Sequence, residues 1–329
     1  MRRTLTFIAP RQVEIREEPL HPLGAEDVLV QTVCSAISAG SELLIYRGQF
    51  PRELADSHDA LSSGLKYPLA YGYACVGRVI EAGHHVDPEW VGRFVFSFQP
   101  HTTHFIARPE ALFPIPEGLT PEAACFLPNM ETAVNLVQDA APILGEHVLV
   151  LGQGVIGLLT SALLAEFPLD RLAAADHFEV RRKALGLRSF DSSQPDFRDQ
   201  VRDYLPDGAD LTLEVSGAPS ALDDAIALTR FSGRVVIGSW YGEKRAALDL
   251  GGAFHRSRIQ LISSQVSTIA PALSARWDKS RRFEVAWQAL TRIRPERWIT
   301  QRFPLDRAAE AYRLLDERPH ETIQVMFDY

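Results

Sequence analysis

The chain has 329 residues, of which 46% are apolar and 23% charged, a balance typical of a globular protein long enough for two packed domains. Acids and bases are mixed throughout and the net charge is −8, so no basic surface for nucleic acid or an anionic membrane is expected. Cys34, Cys75 and Cys125 are too few and too scattered for a disulfide framework, and the N-terminus lacks the apolar stretch of a signal peptide. These features together favour the cytoplasm.

The first 119 residues predict a mostly β domain. Short apolar stretches at 28–37, 75–80 and 94–98 alternate with clusters of Pro and Gly, which mark turns. The pattern changes at Thr120, which is placed to cap a helix that begins at Pro121.

From there, predicted strands alternate with predicted helices. The strands are expected at 147–151, 171–175, 211–215, 234–238 and 259–263. The helices between them are expected to begin near Val155, Glu179, Pro219 and Phe254, and a last helix and strand at 306–317 and 322–327. Alternation of this kind implies parallel strands joined by right-handed crossovers, so this region is predicted to form a doubly wound α/β sheet.

The strand at 147–151 runs directly into the sequence GQGVIG at 152–157 and then into an apolar helix. In a dinucleotide-binding turn the first glycine makes the tight turn, the second lets the backbone approach the pyrophosphate, and the third lets the helix pack on the strand. The helix N-terminus supplies N–H groups and a positive dipole for the anion. A membrane span over the 18 uncharged residues 148–165 is the competing interpretation, and the three glycines disfavour it.

The next predicted strand ends in Asp176, 19 residues after Gly157, where a dinucleotide-binding fold carries the acid that binds the ribose. A carboxylate there accepts both ribose hydroxyls of NAD and repels the extra phosphate of NADP, which favours NAD. Arg181, Arg182 and Lys183 follow closely. They can reach a 2′-phosphate or can form a solvated basic helix face, and the sequence leaves both possibilities open.

Several stretches with these and other motifs carry a family resemblance: 36–48 (AISAGSELLIYRG), 72–83 (GYACVGRVIEAG), the glycine run, 214–217 (EVSG) and 301–305 (QRFPL). Along essentially its whole length the chain resembles the medium-chain dehydrogenase/reductase superfamily. The resemblance implies a GroES-like substrate domain, residues 1–119 and 263–329, and a Rossmann domain, residues 120–262, with the active site in the cleft between them. It also implies a homodimer or homotetramer joined through residues 234–240 and beyond.

Finer resemblances point to one branch of that superfamily. Residues 36–48 and 67–79 most resemble the branch that contains bacteriochlorophyllide hydroxyethyl dehydrogenase. Residues 129–135, 239–242 and 263–266 resemble bacterial relatives of that branch which lack zinc.

The zinc ligands of that superfamily have no counterpart in this sequence. The positions that match a Cys, a His and a third Cys or acid hold Ala39, Tyr73 and Pro128, and no group of four closely spaced cysteines is present to hold a structural zinc. His101 and His104 form a His-x-x-His pair, but on a strand their side chains point to opposite faces. The resemblance therefore implies an enzyme that is independent of zinc.

Without a metal, hydrogen-bond donors and a proton path must serve the substrate oxygen. Ser41 stands where the superfamily carries the residue that relays the substrate proton, or it merely closes a turn. Tyr73, with an ordinary pKa of about 10, can donate its phenol or can fill the volume of the missing metal. His101, which titrates near neutral pH, can shuttle a proton. Glu131 can act as a buried base of raised pKa or can pair with an arginine.

The glycine motif and the resemblance together define the expected cofactor site. Its residues are Thr132, Gly152, Gln153, Gly154, Val155, Ile156, Gly157, Asp176, His177, Arg181, Ser216, Gly217, Ser239, Trp240 and Ser264.

Three functions are compatible with these features. The first is an NAD-dependent, zinc-independent oxidoreductase that transfers hydride between the nicotinamide and a small-molecule substrate, a secondary alcohol or its ketone. The second is an NADPH-dependent quinone or enone reductase, against which Asp176 argues. The third is a dinucleotide-binding sensor without catalysis, against which the several proton-handling side chains argue.

Overall fold

The computed structural model describes residues 1–50 and 65–329. These residues form two compact units. The first, the β-rich unit, consists of residues 1–50, 65–128 and 290–329, and the second, the parallel-sheet unit, consists of residues 129–289. The domain boundaries expected from the sequence, at 119/120 and 262/263, remain a prediction.

Strands and helices follow one another along the chain. The strands are β1 (Arg2–Ala9), β2 (Gln12–Glu18), β3 (Val28–Ala36), β4 (Leu69–Ala70), β5 (Cys75–Ala82), β6 (Phe94–Ser97), β7 (His104–Ala107), β8 (Phe113–Pro114), β9 (His147–Leu151), β10 (Arg171–Asp176), β11 (Arg188–Asp191), β12 (Ala209–Glu214), β13 (Thr229–Ile237), β14 (Gln260–Ser263), β15 (Ile299–Pro304) and β16 (Gln324–Asp328). The helices are α1 (Ala39–Arg47), α2 (Pro121–Ala124), α3 (Leu127–Ala140), α4 (Val155–Leu164), α5 (Glu179–Arg182), α6 (Phe197–Tyr204), α7 (Ala221–Leu228), α8 (Lys279–Ile293) and α9 (Ala308–Glu317).

Two sheets form the framework of the β-rich unit. One has the order β2-β1-β4, and the other has the order β15-β16-β3-β5-β6-β8, with β7 also paired to β3. Along β3, Val28, Val30 and Thr32 are buried while Gln31 is exposed, the alternation expected of a strand with one face on a core. The last three residues of β3 are all buried, and this places the hydroxyl of Ser35 inside the unit.

The parallel-sheet unit contains a single sheet with the order β11-β10-β9-β12-β13-β14, and every neighbouring pair is parallel. Its core includes Leu149, Leu151, Ala173 and Ala175 from the adjacent strands β9 and β10. The strand order reverses at β9, where the chain adds β10 on one side and later β12 on the other. Such a switch point is where doubly wound sheets bind their ligands, at the carboxyl ends of the strands.

The predicted fold class is therefore confirmed, and so are the predicted strands at 147–151, 171–175 and 211–215, within a residue or two at their ends. Thr120 caps α2, because its hydroxyl accepts the N–H of Ala123 at 3.2 Å. The helix predicted to begin near Phe254 corresponds to a short helical segment that begins a few residues earlier, a π-helical turn at Leu250–Phe254 that continues into helical residues 255–256. Gly252 interrupts this segment with a non-helical backbone, and Asp249 accepts the N–H groups of Gly251 and Gly252.

Three further features bear on the predictions. Within residues 1–50 and 65–329, no helix is both long and apolar enough to cross a membrane. The three cysteines are all free and buried. β13 is paired on both sides, so residues 234–237 present no open strand edge, and the edge strands of this sheet are β11 and β14.

Candidate functional site

The glycine turn, residues 152–157, connects β9 to α4 at the switch point of the sheet. Gly152 has a φ of +97°, and a Cβ there would lie 2.6 Å from the Cα of Ser216. A Cβ on Gly157 would lie only 1.9 Å from the carbonyl oxygen of Gly152, whereas a Cβ on Gly154 would meet nothing within 4 Å. The first and third glycines are thus required by the fold, and the second faces open space at the start of the helix.

Gln153 braces this turn from inside. Its side chain is buried, and its Nε2 donates to the carbonyl of Gly152 at 3.0 Å and to Ser161 Oγ at 3.1 Å. Val155 and Ile156, both half-buried, begin α4. The side-chain amide of Gln153 is therefore committed to the protein.

Asp176, the last residue of β10, is fixed against the same turn. Its Oδ2 accepts the N–H of Gln153 at 2.7 Å and its Oδ1 accepts the N–H of Phe178 at 2.8 Å. Two N–H donors orient the carboxylate and leave each oxygen with a second lone pair. The acid predicted to bind ribose is thus held beside the glycine turn, as the spacing from Gly157 requires.

Two of the basic residues after Asp176 are engaged within the unit. Arg182 donates to the carbonyls of Asp176 at 2.9 Å and His177 at 2.7 Å, and it forms an ion pair with Asp191 at 3.0 Å. Lys183 forms an ion pair with Glu179 one helical turn earlier. These two side chains are therefore directed to partners in the protein.

Arg181 and His177 flank the acid differently. The guanidinium of Arg181 lies 4.9 Å from the centre of the Phe178 ring, and burial lowers the pKa of Arg181 while the charge of Asp176 opposes that shift. His177 is exposed, and its Nδ1 lies 3.4 Å from Ser192 Oγ. Both residues lie near Asp176, and their roles in a cofactor site stay a prediction.

A buried carboxylate, Glu214, organises the loops that follow β12 and β13. Its Oε1 accepts the N–H of Ser216 at 2.8 Å and the hydroxyl of Ser216 at 2.5 Å, while its Oε2 accepts the hydroxyl of Tyr241. Ser239 Oγ accepts the N–H of Gly217 at 2.8 Å. Burial and the charge of Glu214 raise the pKa of Tyr241. The predicted residues Ser216, Gly217 and Ser239 are thus brought together.

Trp240, between Ser239 and Tyr241, is half-buried. Tyr241 and Lys244, whose Nζ donates to the carbonyl of Gly217 at 2.8 Å, were not expected from the sequence. Nothing local in the run WYGEK predicts these partners.

Glu131 pairs with an arginine, the second of the two roles considered for it. Its Oε1 accepts from Arg282 Nη2 at 2.8 Å and from Arg282 Nε at 3.1 Å, and Lys279 Nζ lies 3.0 Å away. Thr132, the next residue of α3, is half-buried, and Ser264 is joined to the same helix through Asn135.

In the β-rich unit, three hydroxyl groups meet at the start of α1. The phenol of Tyr73 donates to Ser38 Oγ and lies 3.2 Å from Ser41 Oγ. Tyr73 is 8% exposed, and both serines are half-buried. We name Ser38, Ser41 and Tyr73 the hydroxyl cluster. Ser38 was not predicted, although it lies three residues before Ser41, one helical turn away.

His101 lies in a buried network next to that cluster. The imidazole is fully buried, with Ser35 Oγ 2.7 Å from Nδ1 and Glu42 Oε2 3.0 Å from Nε2. Because a carboxylate only accepts, Nε2 donates to Glu42, and in the neutral ring Nδ1 accepts from Ser35. Glu42 also accepts the N–H of Ser38 at 2.7 Å and the hydroxyl of Tyr312. Both ring nitrogens therefore serve this network, and a proton-shuttling role for His101 stays a prediction.

The positions that match zinc ligands carry no set of metal-binding groups. Ala39 begins α1 and Pro128 lies in α3. Alanine and proline side chains have no atom that can bind a metal, and the phenol of Tyr73 donates a hydrogen bond to Ser38. In the part of the chain that the structure describes, no group of three His, Cys, Asp or Glu side chains could hold a metal ion.

A doubly wound sheet whose switch point carries this glycine turn and a fixed acid defines a class, the dinucleotide-binding α/β proteins. Comparison with known proteins narrows that class. The chain is 25% identical, over 357 aligned positions, to a 2-desacetyl-2-hydroxyethyl bacteriochlorophyllide A dehydrogenase of Cereibacter sphaeroides, covering 100% of this chain and 99% of that protein. It is 22% identical over 262 residues to an L-threonine 3-dehydrogenase of Ruegeria pomeroyi, covering 67% of this chain and 72% of that protein.

Among solved structures, an alcohol dehydrogenase of Escherichia coli in complex with NADH has the same fold, with a TM-score of 0.79 and 20% identity over 100% of this chain and 99% of that one. No protein-family model matches the chain. Because the relatives in sequence are dehydrogenases, they support an oxidoreductase of the medium-chain dehydrogenase/reductase superfamily as the class of this chain.

Proposed function

We propose that the chain is an NAD(H)-dependent oxidoreductase of the medium-chain type, which interconverts a secondary alcohol and its ketone without catalytic zinc. The observation that carries the proposal is the pairing of the glycine turn with Asp176, which share a hydrogen bond through the N–H of Gln153. A dehydrogenase similar over the full length of the chain supports the same chemistry.

The parallel-sheet unit would hold the nicotinamide cofactor. The open space over Gly154 and the N–H groups at the start of α4 suit a pyrophosphate, because a helix N-terminus favours an anion. Asp176 would accept the ribose hydroxyls. When bound, such a cofactor supplies the hydride acceptor or donor at C4 of its nicotinamide ring. We also propose that Ser216, which Glu214 holds in place, and Gly217 and Ser239, which are hydrogen-bonded to each other, line the same site.

The preference for NAD over NADP rests on charge. The 2′-phosphate of NADP would lie next to the carboxylate of Asp176, and two negative charges in contact repel each other. Arg182 and Lys183, which could offset that repulsion, are ion-paired to Asp191 and Glu179. We therefore propose that NAD is the cofactor and that Arg181 contributes packing more than charge to this part of the site.

The hydroxyl cluster would serve the substrate oxygen. Tyr73 is a donor at neutral pH, since the ordinary pKa of a phenol is about 10, and it already donates to Ser38. Hydroxyl groups both donate and accept, so Ser38 and Ser41 can pass a proton between the phenol and a bound alcohol. Oriented donors of this kind stabilise the negative charge that develops on a carbonyl oxygen during reduction.

Zinc does not fit the residues that match its usual ligands. Ala39 and Pro128 offer no donor atom, and a zinc ion needs three protein ligands of the Cys, His or carboxylate type. No step of the proposed chemistry therefore uses a metal. We further propose that the chain works in the cytoplasm as a homodimer or homotetramer on a small-molecule substrate.

The test is an activity screen of metal-stripped protein with a panel of secondary alcohols and ketones, followed at the absorbance of reduced nicotinamide. Zinc is measured by elemental analysis before and after stripping. We expect turnover with NAD(H) that survives stripping. Stoichiometric zinc whose removal abolishes turnover would contradict the zinc-independent mechanism, and reduction of conjugated enones with NADPH would favour the quinone or enone reductase instead.

A further inference from the structure

One guanidinium in the parallel-sheet unit has an acceptor at each of its three nitrogens. Arg282 of α8 is fully buried. It donates through Nε and Nη2 to Glu131, through Nη1 to Asn135 Oδ1 at 2.5 Å and to the carbonyl of Thr268 at 3.1 Å, and through Nη2 to the carbonyl of Val266. Since arginine has five N–H donors in a fixed fork, these five bonds saturate the side chain.

The acceptors of Arg282 belong to two parts of the unit. Glu131 and Asn135 lie one turn apart on one face of α3, and Val266 and Thr268 belong to the loop that follows β14. A second set of bonds joins the same two parts: Ser264 Oγ donates to Asp139 at 2.6 Å, and Asn135 Nδ2 donates to Ser264 Oγ at 2.9 Å. Residues 264–268 are thus tied to α3 at three points of the loop.

Burial makes this arrangement specific. If a buried arginine loses one acceptor, an N–H group of a charged side chain is left without a hydrogen bond in the interior, which is energetically costly. Any movement of the loop that breaks one of these hydrogen bonds is therefore opposed. A saturated polar network in a low-dielectric interior is correspondingly rigid. The two carbonyl groups that Arg282 holds come from the loop itself and fix its backbone, not merely its side chains.

We propose that Arg282 is a positioning residue for the cofactor: it clamps residues 264–268 against α3 and so fixes Ser264 relative to Thr132. Both of those residues are expected to line the nicotinamide site, so the inference rests on the proposed function and deepens it. Arg282 itself touches no ligand. Residues 129–135 and 263–266 have no role in the proposed chemistry. The clamp gives both the same role, because it holds them together.

The test compares wild-type protein with Arg282→Lys and Arg282→Met. Lysine keeps the charge but cannot reach all four acceptor residues, and methionine removes the charge. We expect the Kd for NADH to rise about tenfold in Arg282→Lys and further in Arg282→Met. Hydrogen exchange at the amides of residues 264–268 should accelerate in both. Arg198→Met is the matched control, because it removes two half-exposed ion pairs, with Asp223 and Asp224, elsewhere in the unit.

A purely structural role would lower the melting temperature and leave the Kd of the folded protein at the wild-type value, as the control is expected to do. That result would overturn the inference. If neither Arg282 variant folds, Lys279→Met tests the same loop, because Lys279 is 44% exposed and its Nζ contacts both Glu131 and the carbonyl of Val266 at 3.3 Å. A two- to fivefold rise in Kd, on the order of 0.5–1 kcal/mol, is then expected, and an unchanged Kd overturns the inference.

The failure of this inference and that of the proposed function are distinguishable. If the wild-type protein does not bind NADH, the proposed function is wrong and the inference is wrong with it. If the wild-type protein binds NADH and every variant binds it equally, only the role of Arg282 is wrong.

Discussion

Gly154→Ala separates cofactor binding from folding at the glycine turn. Gly154 has a φ of −65° and a ψ of −175°, which alanine adopts without strain, and the added methyl group would meet no protein atom within 4 Å. Alanine stabilises such a position by about 0.4–1 kcal/mol through the unfolded chain. It costs a similar amount as a poorer N-cap of α4. The net change in the free energy of unfolding is therefore expected to be within about 1 kcal/mol.

Binding should respond differently, because the methyl group occupies the space through which a pyrophosphate would approach the N–H groups of α4. Even one lost charge-assisted hydrogen bond costs about 1.5–3 kcal/mol. The Kd for NADH is then expected to rise about tenfold or more. The assay is calorimetric titration with NADH beside thermal unfolding of the same sample.

Two further variants serve as controls. Gly157→Ala puts a Cβ 1.9 Å from a backbone oxygen, so it should lower stability by at least about 1–3 kcal/mol, or several degrees of Tm. Gly251→Ala adds a methyl group in ordinary contact, 3.7 Å from Asp249, and should leave the Kd for NADH unchanged while changing the free energy of unfolding by no more than about 1 kcal/mol. If Gly154→Ala binds NADH as tightly as the wild-type protein, the open space over Gly154 is not a pyrophosphate site.

The other predictions concern the ribose acid, the hydroxyl cluster, the cysteines and a helix cap. Asp176→Asn should weaken NADH binding and reduce the preference for NADH over NADPH. An unchanged ratio of the two Kd values would mean that Asp176 does not bind the ribose. Tyr73→Phe should lower kcat about 10²- to 10³-fold with little change in the Kd for NADH, whereas a wild-type kcat would remove Tyr73 from the mechanism. Burial raises the pKa of Cys75 to about 12, so Cys75 in the native protein should resist alkylation at pH 8, and rapid labelling of native protein would contradict this. The stability of the protein should also fall as pH rises from about 9 towards 12, because the thiol of the unfolded chain ionises first. Thr120→Ala should cost about 0.5–2 kcal/mol of stability, measured by denaturant unfolding, and a change below about 0.3 kcal/mol would mean that the cap bond contributes little.

The parts of the site that the sequence predicted are those encoded locally. The glycine turn and Asp176 are recognisable because the turn needs glycine at 152 and 157, within six residues of chain, and because the spacing of two strands places the acid. The core strands β9, β10 and β12 are short and largely buried, with apolar residues at most positions. Such runs are typical of parallel strands buried on both faces.

Other elements were missed for identifiable reasons. α6 buries only Phe197 and Val201, and most of its other residues are charged, so its apolar face is too narrow to stand out. α8 buries Arg282, Ala286 and Leu290, which are spaced four residues apart. Because the first of them is charged, the three do not read as an apolar helix face in the sequence. A periodicity count over 279–293 that ignored residue charge would have found this helix.

Partners that are distant in sequence could not be predicted at all. Arg282 meets Asn135 across 147 positions, and Tyr73 meets Ser38 across 35. Such pairs depend on the tertiary fold and not on local pattern. For Glu131, the sequence therefore left two roles open, and only the placement of Arg282 favours the ion pair.

The most direct test of the proposed cofactor preference is a parallel calorimetric titration of metal-stripped protein with NADH and with NADPH. We expect a micromolar Kd for NADH and binding of NADPH at least about tenfold weaker, because Asp176 is proposed to accept the ribose hydroxyls and because Arg182 and Lys183 are ion-paired. Absence of binding by either nucleotide, or tighter binding of NADPH, would contradict it.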